Sequence, residues 1–167
     1  MPGCNAPQIT EKSVDPTELA DLIRLVMADG KTVCFDAPGK SMEPFIHSKD
    51  TIFVSPVGKK LIQTGDVIVF VHPGNGRVLA HRAVRITNGR FYSMGDNDTS
   101  RGDGWISFND VLGRVVRIQR DGKDHSLGLG PEKWLIALLL RGNKLVPIVN
   151  LLRRIKLGIK RFFTARV

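Results

Sequence analysis

Residues 65–94 read GDVIVFVHPGNGRVLAHRAVRITNGRFYSM, and this stretch decides the fold. Two β-type runs, 66–71 and 78–86, are separated by Pro73-Gly74-Asn75-Gly76, and a third, 90–93, follows Asn88-Gly89. Asn-Gly between two such runs is the turn chemistry of a two-residue β-hairpin. Outward from here, 32–35, 51–54 and 111–120 have the same texture: short, β-branched or aromatic, bounded by Gly, Pro, Asn or Asp. The spacing predicts a mainly β chain, with a compact antiparallel β-domain over residues 32–120.

Helical signals flank this domain. Residues 1–31 read as an N-terminal extension and a helix. Asp15-Pro16-Thr17-Glu18 is a start signal, with Asp15 as cap, Pro16 in the first turn and Glu18 completing a capping box. Leu19, Leu22, Ile23 and Val26 then share a helical face, and Gly30 supplies a stop. After Gly130-Pro131 the period is again helical, which predicts a basic amphipathic tail over 131–167. There Ile148, Leu151, Leu152, Ile155, Ile159 and Phe162 form an apolar stripe, with Arg153, Arg154, Lys156, Lys160 and Arg161 on the other side.

The formal charge of +9 is unevenly placed. Residues 141–167 hold eight Lys or Arg and no acid, which leaves about +1 for everything before them. The body therefore has no electrostatic footprint for nucleic acid, and nucleic acid is not an expected partner. The tail is expected to lie on an anionic membrane surface, the alternative being packing on its own domain or on a partner. No run approaches the ~20 apolar residues of a spanning helix. The first ten residues, MPGCNAPQIT, lack the basic and apolar regions of a secretory signal. The expected location is cytoplasmic, peripheral at the membrane. Cys4 and Cys34 are expected to be idle thiols, and no cofactor or metal is expected.

Three segments carry residue types suited to chemistry. In Gly39-Lys40-Ser41-Met42-Glu43-Pro44 a serine follows a strand and a Pro-Gly turn. Such serines are commonly only turn residues. A peptide-bond nucleophile nevertheless needs this kind of place, clear of the sheet and beside backbone N–H groups that hold an oxyanion. In Leu79-Ala80-His81-Arg82-Ala83-Val84 a histidine lies in a strand. Strand histidines are mostly structural, but a serine hydroxyl needs a base near neutral pH, and imidazole suits that work. His47, His72 and His125 have turn or polar neighbours and are poorer candidates. The third segment, 93–103, reads SMGDNDTSRGD. It fails as a calcium loop, since Arg101 replaces the required Gly and Ser107 the bidentate Glu. Asp96 and Asp103 are candidates to orient an imidazole.

Together these segments resemble the type I signal peptidase family, within the signal peptidase/LexA-like superfamily. GKSMEP (39–44) resembles the nucleophile box, GDVIVF (65–70) the strand box, LAHRAV (79–84) the base box, and SMGDNDTSRGD (93–103) the GDN box with its later Asp. Most bacterial members carry Lys before the Arg of the base box. His81-Arg82 is similar to the Ser/His kind found in the endoplasmic reticulum and archaea.

The resemblance implies a serine endopeptidase acting on a peptide or preprotein, cutting after small residues. It makes Ser41 the nucleophile, His81 the base, Asp103 or Asp96 the orienting acid, and the Ser41 backbone N–H an oxyanion donor. Gly39 stands where some relatives place a second oxyanion hydroxyl. Two features depart from the pattern: Phe45-Ile46 after Pro44, and an N-terminal region with no membrane anchor. Two other readings remain. One is a repressor-type, LexA-like self-cleaving peptidase, against which stand His81 in place of Lys and no helix-turn-helix before residue 32. The other is a non-enzymatic membrane or nucleic-acid adaptor that works through the tail.

Overall fold

The computed structural model describes residues 16–58, 61–99 and 102–164, with 16–17 and 156–164 through their backbone alone. Its centre is an antiparallel sheet of eight strands. These are β1 (Val33–Asp36), β2 (Thr51–Ser55), β3 (Val67–Val71), β4 (Val78–Thr87), β5 (Arg90–Met94), β6 (Gly104–Ser107), β7 (Val111–Arg120) and β8 (Lys123–His125). The order is β1-β2-β7-β3-β4-β5-β6, and β8 pairs with β7.

The six expected strands are present to within about two residues at their ends, and two more join them. β6, Gly-Trp-Ile-Ser, buries only Ile106 and sits in a run of Asp and Gly that reads as loop. β8, Lys-Asp-His, has no apolar residue, and its register across Asp121-Gly122 is set by the hairpin turn alone. In the β4–β5 hairpin, Thr87 pairs with Arg90, and Asn88 (φ 44°) and Gly89 (φ 75°) both take the left-handed conformation that a type I′ turn requires.

β3 is apolar without alternation because both of its faces are covered. Val67 and Val69 join one cluster with α1 (Pro16–Ala28), while Ile68 and Phe70 join a second with Phe91 and Ile106. α1 thus shares the core of the sheet. Its buried face is Leu19, Ala20, Ile23 and Met27, whereas Leu22 is 39% exposed. The expected face is therefore rotated: Leu19, Ile23 and Met27 recur every four residues, and the small Ala20 lets the helix approach closely. Asp15 and Cys4 lie outside the described residues. Cys34 is disulfide-bonded, which corrects the expectation of an idle thiol.

Two helices follow the sheet. α2 (Lys133–Arg141) buries Ile136, Ala137 and Leu140 in a cluster with Val84 and Met94. Its first turn is tied down by Lys133 Nζ, 2.7 Å from the buried Asp66 carboxylate, which Arg114 also meets at 3.3 Å. α3 is Leu145–Thr164. Leu145 is buried, and Ile148, Leu151, Leu152 and Ile155 are exposed. Ile159 and Phe162 of the expected stripe, with Lys156, Lys160 and Arg161, lie outside the described side chains. Among the described residues no single helix is long and apolar enough to cross a membrane.

The loop from β1 to β2 is closed by one buried carboxylate. Arg120, at the end of β7, donates to Asp50 through Nε at 2.8 Å and Nη2 at 2.7 Å, and through Nη2 to the Phe45 carbonyl at 3.2 Å. The His47 N–H donates to the same carboxylate at 2.7 Å. Burial works to raise the Asp50 carboxyl, but the Arg120 and His47 hydrogen bonds outweigh it and hold the group below its ordinary value. A carboxyl depressed in the folded state adds stability that is fully present above its unfolded value and is lost as pH falls through its folded value. Asp50→Asn should therefore lower stability at neutral pH by about 1–3 kcal/mol. The gap from wild type should shrink in urea unfolding series taken below about pH 4, and a gap that stays constant into acid would contradict this role.

Candidate active site

Residues 37–50 bring a serine to the surface and hold it there. Met42 and Ile46 are buried in the core with Leu19 and Ile23, so the loop is anchored from beneath while Ser41 stays exposed. Gly39 turns the chain ahead of it at φ 75°. His81 lies on β4, paired with Ile68 of β3, is 8% exposed, and meets the Phe70 ring edge-on at 6.4 Å. Asp103 precedes β6, where its N–H donates to the Ser93 carbonyl at 2.9 Å.

These three side chains form a line. Ser41 Oγ is 2.8 Å from His81 Nε2, and His81 Nδ1 is 2.7 Å from Asp103 Oδ2. A carboxylate only accepts, so the Nδ1 nitrogen carries the ring proton. In the neutral imidazole this leaves Nε2 as an acceptor aimed at the Ser41 hydroxyl. Lys40 is exposed beside it in sequence.

Asp96, the other acid candidate, takes its hydrogen bonds from Arg82, while Asp103 takes the one from His81. Asp96 is fully buried and accepts from Arg82 twice, from Nε at 2.7 Å and from Nη2 at 2.6 Å. Burial pushes its carboxyl above the ordinary value, against the pull of Arg82. Arg82 Nη1 also donates to the carbonyls of Gly65 at 2.7 Å and Gly128 at 2.8 Å, and the Phe45 ring lies 5.6 Å from its guanidinium carbon. Phe45, one of the two departures after Pro44, thus covers the buried cation, and Ile46 is a core anchor.

Sequence reasoning passed over three residues that shape the site. Arg82 is one, and its signal was its place next to His81. Asn97 is another: its N–H donates to the Ser41 carbonyl at 2.7 Å and its amide to the Lys40 carbonyl at 3.4 Å. The third is Gly95, where an added Cβ would lie 2.8 Å from the Ser41 carbonyl oxygen, 3.2 Å from Ser41 Cβ and 3.4 Å from His81 Nε2. Only a residue without a side chain lets the 95–97 turn press against the serine and its partner. Two other histidines serve locally: His47 Nε2 is 3.0 Å from the Pro44 carbonyl, and His72 Nδ1 accepts from Gly74. Among the described residues no three His, Cys, Asp or Glu side chains are grouped as metal ligands.

Beside Ser41 and His81 runs a narrow apolar cleft of about 50 Å³, walled by Phe35, Ala37, Met42, Ile46, Val78 and Ala80. Among the described residues, one wall is a strand edge with no partner strand beside it. β4 pairs with β3 from Val78 onward but with β5 only from Arg82 onward, so residues 78–81 have a strand on one side.

A family model described as Peptidase S24-like matches residues 4–116. The signal peptidase complex catalytic subunit SEC11C of Homo sapiens, Canis lupus familiaris and Mus musculus is 30% identical over 87 residues, covering 45% of this chain and 45% of each relative. The chain thus matches less than half the length of these relatives. The antiparallel β-domain and a model match over most of the chain lead to one assignment: the chain belongs to the Peptidase S24-like family.

Proposed function

We propose that this chain is a serine endopeptidase of the Ser/His kind, with Ser41 as nucleophile, His81 as general base and Asp103 as the acid that orients it. The observation that carries this reading is the unbroken line from Ser41 Oγ through His81 to Asp103, with both hydrogen bonds under 3 Å. Nε2 takes the Ser41 proton as Oγ attacks the scissile carbonyl carbon. The oxyanion is met by the Ser41 backbone N–H, and Gly39 offers no second hydroxyl there. His81 then returns its proton to the leaving amine, and water, activated by the same imidazole, hydrolyses the acyl-serine ester. Asp103 holds the tautomer and stabilises the imidazolium that forms.

The substrate in this reading is an extended peptide laid along residues 78–81, where its main chain adds a strand to the free edge of β4. The cleft beside Ser41 is small and apolar, which favours a small residue before the cut. A signal-peptide-like or other precursor segment has those properties. Self-cleavage, the repressor-type alternative, would require a segment of this chain to occupy the same edge.

Purified full-length protein incubated with a peptide library, with cleavage read by mass spectrometry, tests this. Ser41→Ala should abolish cleavage with the fold intact, and His81→Ala should lose about 10⁴-fold or more. Lys40→Ala should keep near wild-type turnover, and wild-type activity should fall in acid, since imidazolium cannot accept the serine proton. Turnover that survives His81→Ala but not Lys40→Ala would replace this mechanism with a Ser/Lys one. Cleavage confined to the chain itself would favour the self-cleaving reading, and no cleavage at all the adaptor reading.

The two acids should separate by what they damage. Asp103→Asn should fold normally and lose up to about 10⁴-fold in rate through the wrong tautomer. Asp96→Ala should lose about 3–5 kcal/mol of stability, because it leaves the Arg82 charge buried and unpaired. Gly95→Ala should fold yet lose rate by roughly 10²-fold, as a displacement near 1 Å suffices for that. Thermal unfolding beside kinetics on each variant makes the distinction, and an Asp96→Ala protein as stable as wild type but inactive would reverse the two assignments.

A further inference from the structure

The helices after the sheet present more apolar surface than they bury. On α2, Trp134, Leu135 and Leu138 are 53%, 58% and 61% exposed, on the side away from Ile136, Ala137 and Leu140. On α3, Ile148, Leu151, Leu152 and Ile155 are 38–59% exposed. A single exposed leucine needs no explanation, but seven large apolar side chains on adjoining helices mark an interaction surface. The chain bends by 112° between α2 and the described part of α3. Residues 133–167 contain no Asp or Glu, and Arg141, Lys144, Arg153 and Arg154 are exposed among or beside the apolar positions. Trp134, Leu138 and Arg141 fall at helical offsets of four and three, so aromatic, aliphatic and cation share one edge of α2.

We propose that the outer faces of α2 and α3 form one bent docking surface for an anionic phospholipid bilayer, lying in its interface and not crossing it. The sequence points to residues 141–167 for such a contact; the packing of α2 adds Trp134, Leu135 and Leu138, because its buried side is already occupied by the sheet. Apolar side chains of this kind enter the boundary between headgroups and acyl chains, and the flanking cations meet lipid phosphates. Charge excludes the main rivals. A second copy would bring two acid-free basic surfaces together, and nucleic acid would leave the leucines uncovered. The inference does not rest on the peptidase reading.

The test uses the full chain with phosphatidylcholine vesicles, with and without phosphatidylglycerol. The protein should sediment with the anionic vesicles and be released by salt. A Trp105→Phe variant leaves Trp134 as the sole tryptophan. Its emission should shift to the blue on these vesicles and be quenched by brominated lipid. Leu135→Asp with Leu138→Asp should weaken binding by about tenfold or more. Both positions face solvent, and circular dichroism checks the fold; if the aspartates disturb it, Leu135→Asn with Leu138→Asn takes their place. Three results would overturn the proposal: unchanged vesicle binding by the folded double variant, an unquenched Trp134 on bound protein, or no vesicle binding alongside concentration-dependent self-association.

Discussion

The buried ion pair between Arg82 and Asp96 is the constraint on which the site depends. Neither side chain reaches solvent, and the guanidinium meets the carboxylate at two points. Both N–H groups of Nη1 go to the carbonyls of Gly65 and Gly128. One cation therefore joins β4, the 95–97 turn, the turn before β3 and the loop before α2. A pair of this kind contributes little net stability compared with a well-packed apolar replacement, since desolvation offsets most of the Coulomb attraction. What it gives is position: any displacement of one segment would leave a buried charge short of a partner.

Position matters because Arg82 is adjacent to His81. Successive side chains on a strand point to opposite faces, so fixing Arg82 on one face of β4 fixes His81 on the other. On the far side of the ion pair, Asp96 lies between Gly95 and Asn97, which touch the serine loop directly. The distance from Ser41 to His81 is thus set from two directions by one interaction. Asp50 and Arg120 act likewise at the other end of the serine loop, and Glu132 steadies the Gly128 carbonyl by accepting the N–H groups of Gly128 and Gly130. Ser41 and His81 lie on an exposed loop and a strand edge, and their geometry is held by buried polar groups behind them.

The same organisation continues into the helices. α2 is bound to the sheet through Lys133 and Asp66 and through its Ile136 side, so its outer face is presented at a fixed orientation to the β-domain. A surface displayed in that way orients whatever it contacts relative to the Ser41 cleft.

The sequence by itself determined the strand pattern and the Asn88-Gly89 hairpin, and it singled out Ser41 and His81 as candidates, with Asp103 and Asp96 as equal candidates for the acid. These are legible because turn chemistry and strand texture act over a few residues, and because the motif spacing is local. The choice between Asp103 and Asp96 was not legible: the two lie seven positions apart in one polar loop, and which carboxylate meets an imidazole and which a guanidinium follows from how that loop returns across β4 and β5. β6 and β8 escaped for a related reason, since their pairing comes from neighbouring backbone and not from apolar side chains. The rotated face of α1, the roles of Arg82, Gly95 and Asn97, and the exposed side of α2 likewise emerge only when distant segments compete for the same buried space. Composition fixes which side chains are available to be buried; tertiary packing decides which of them are.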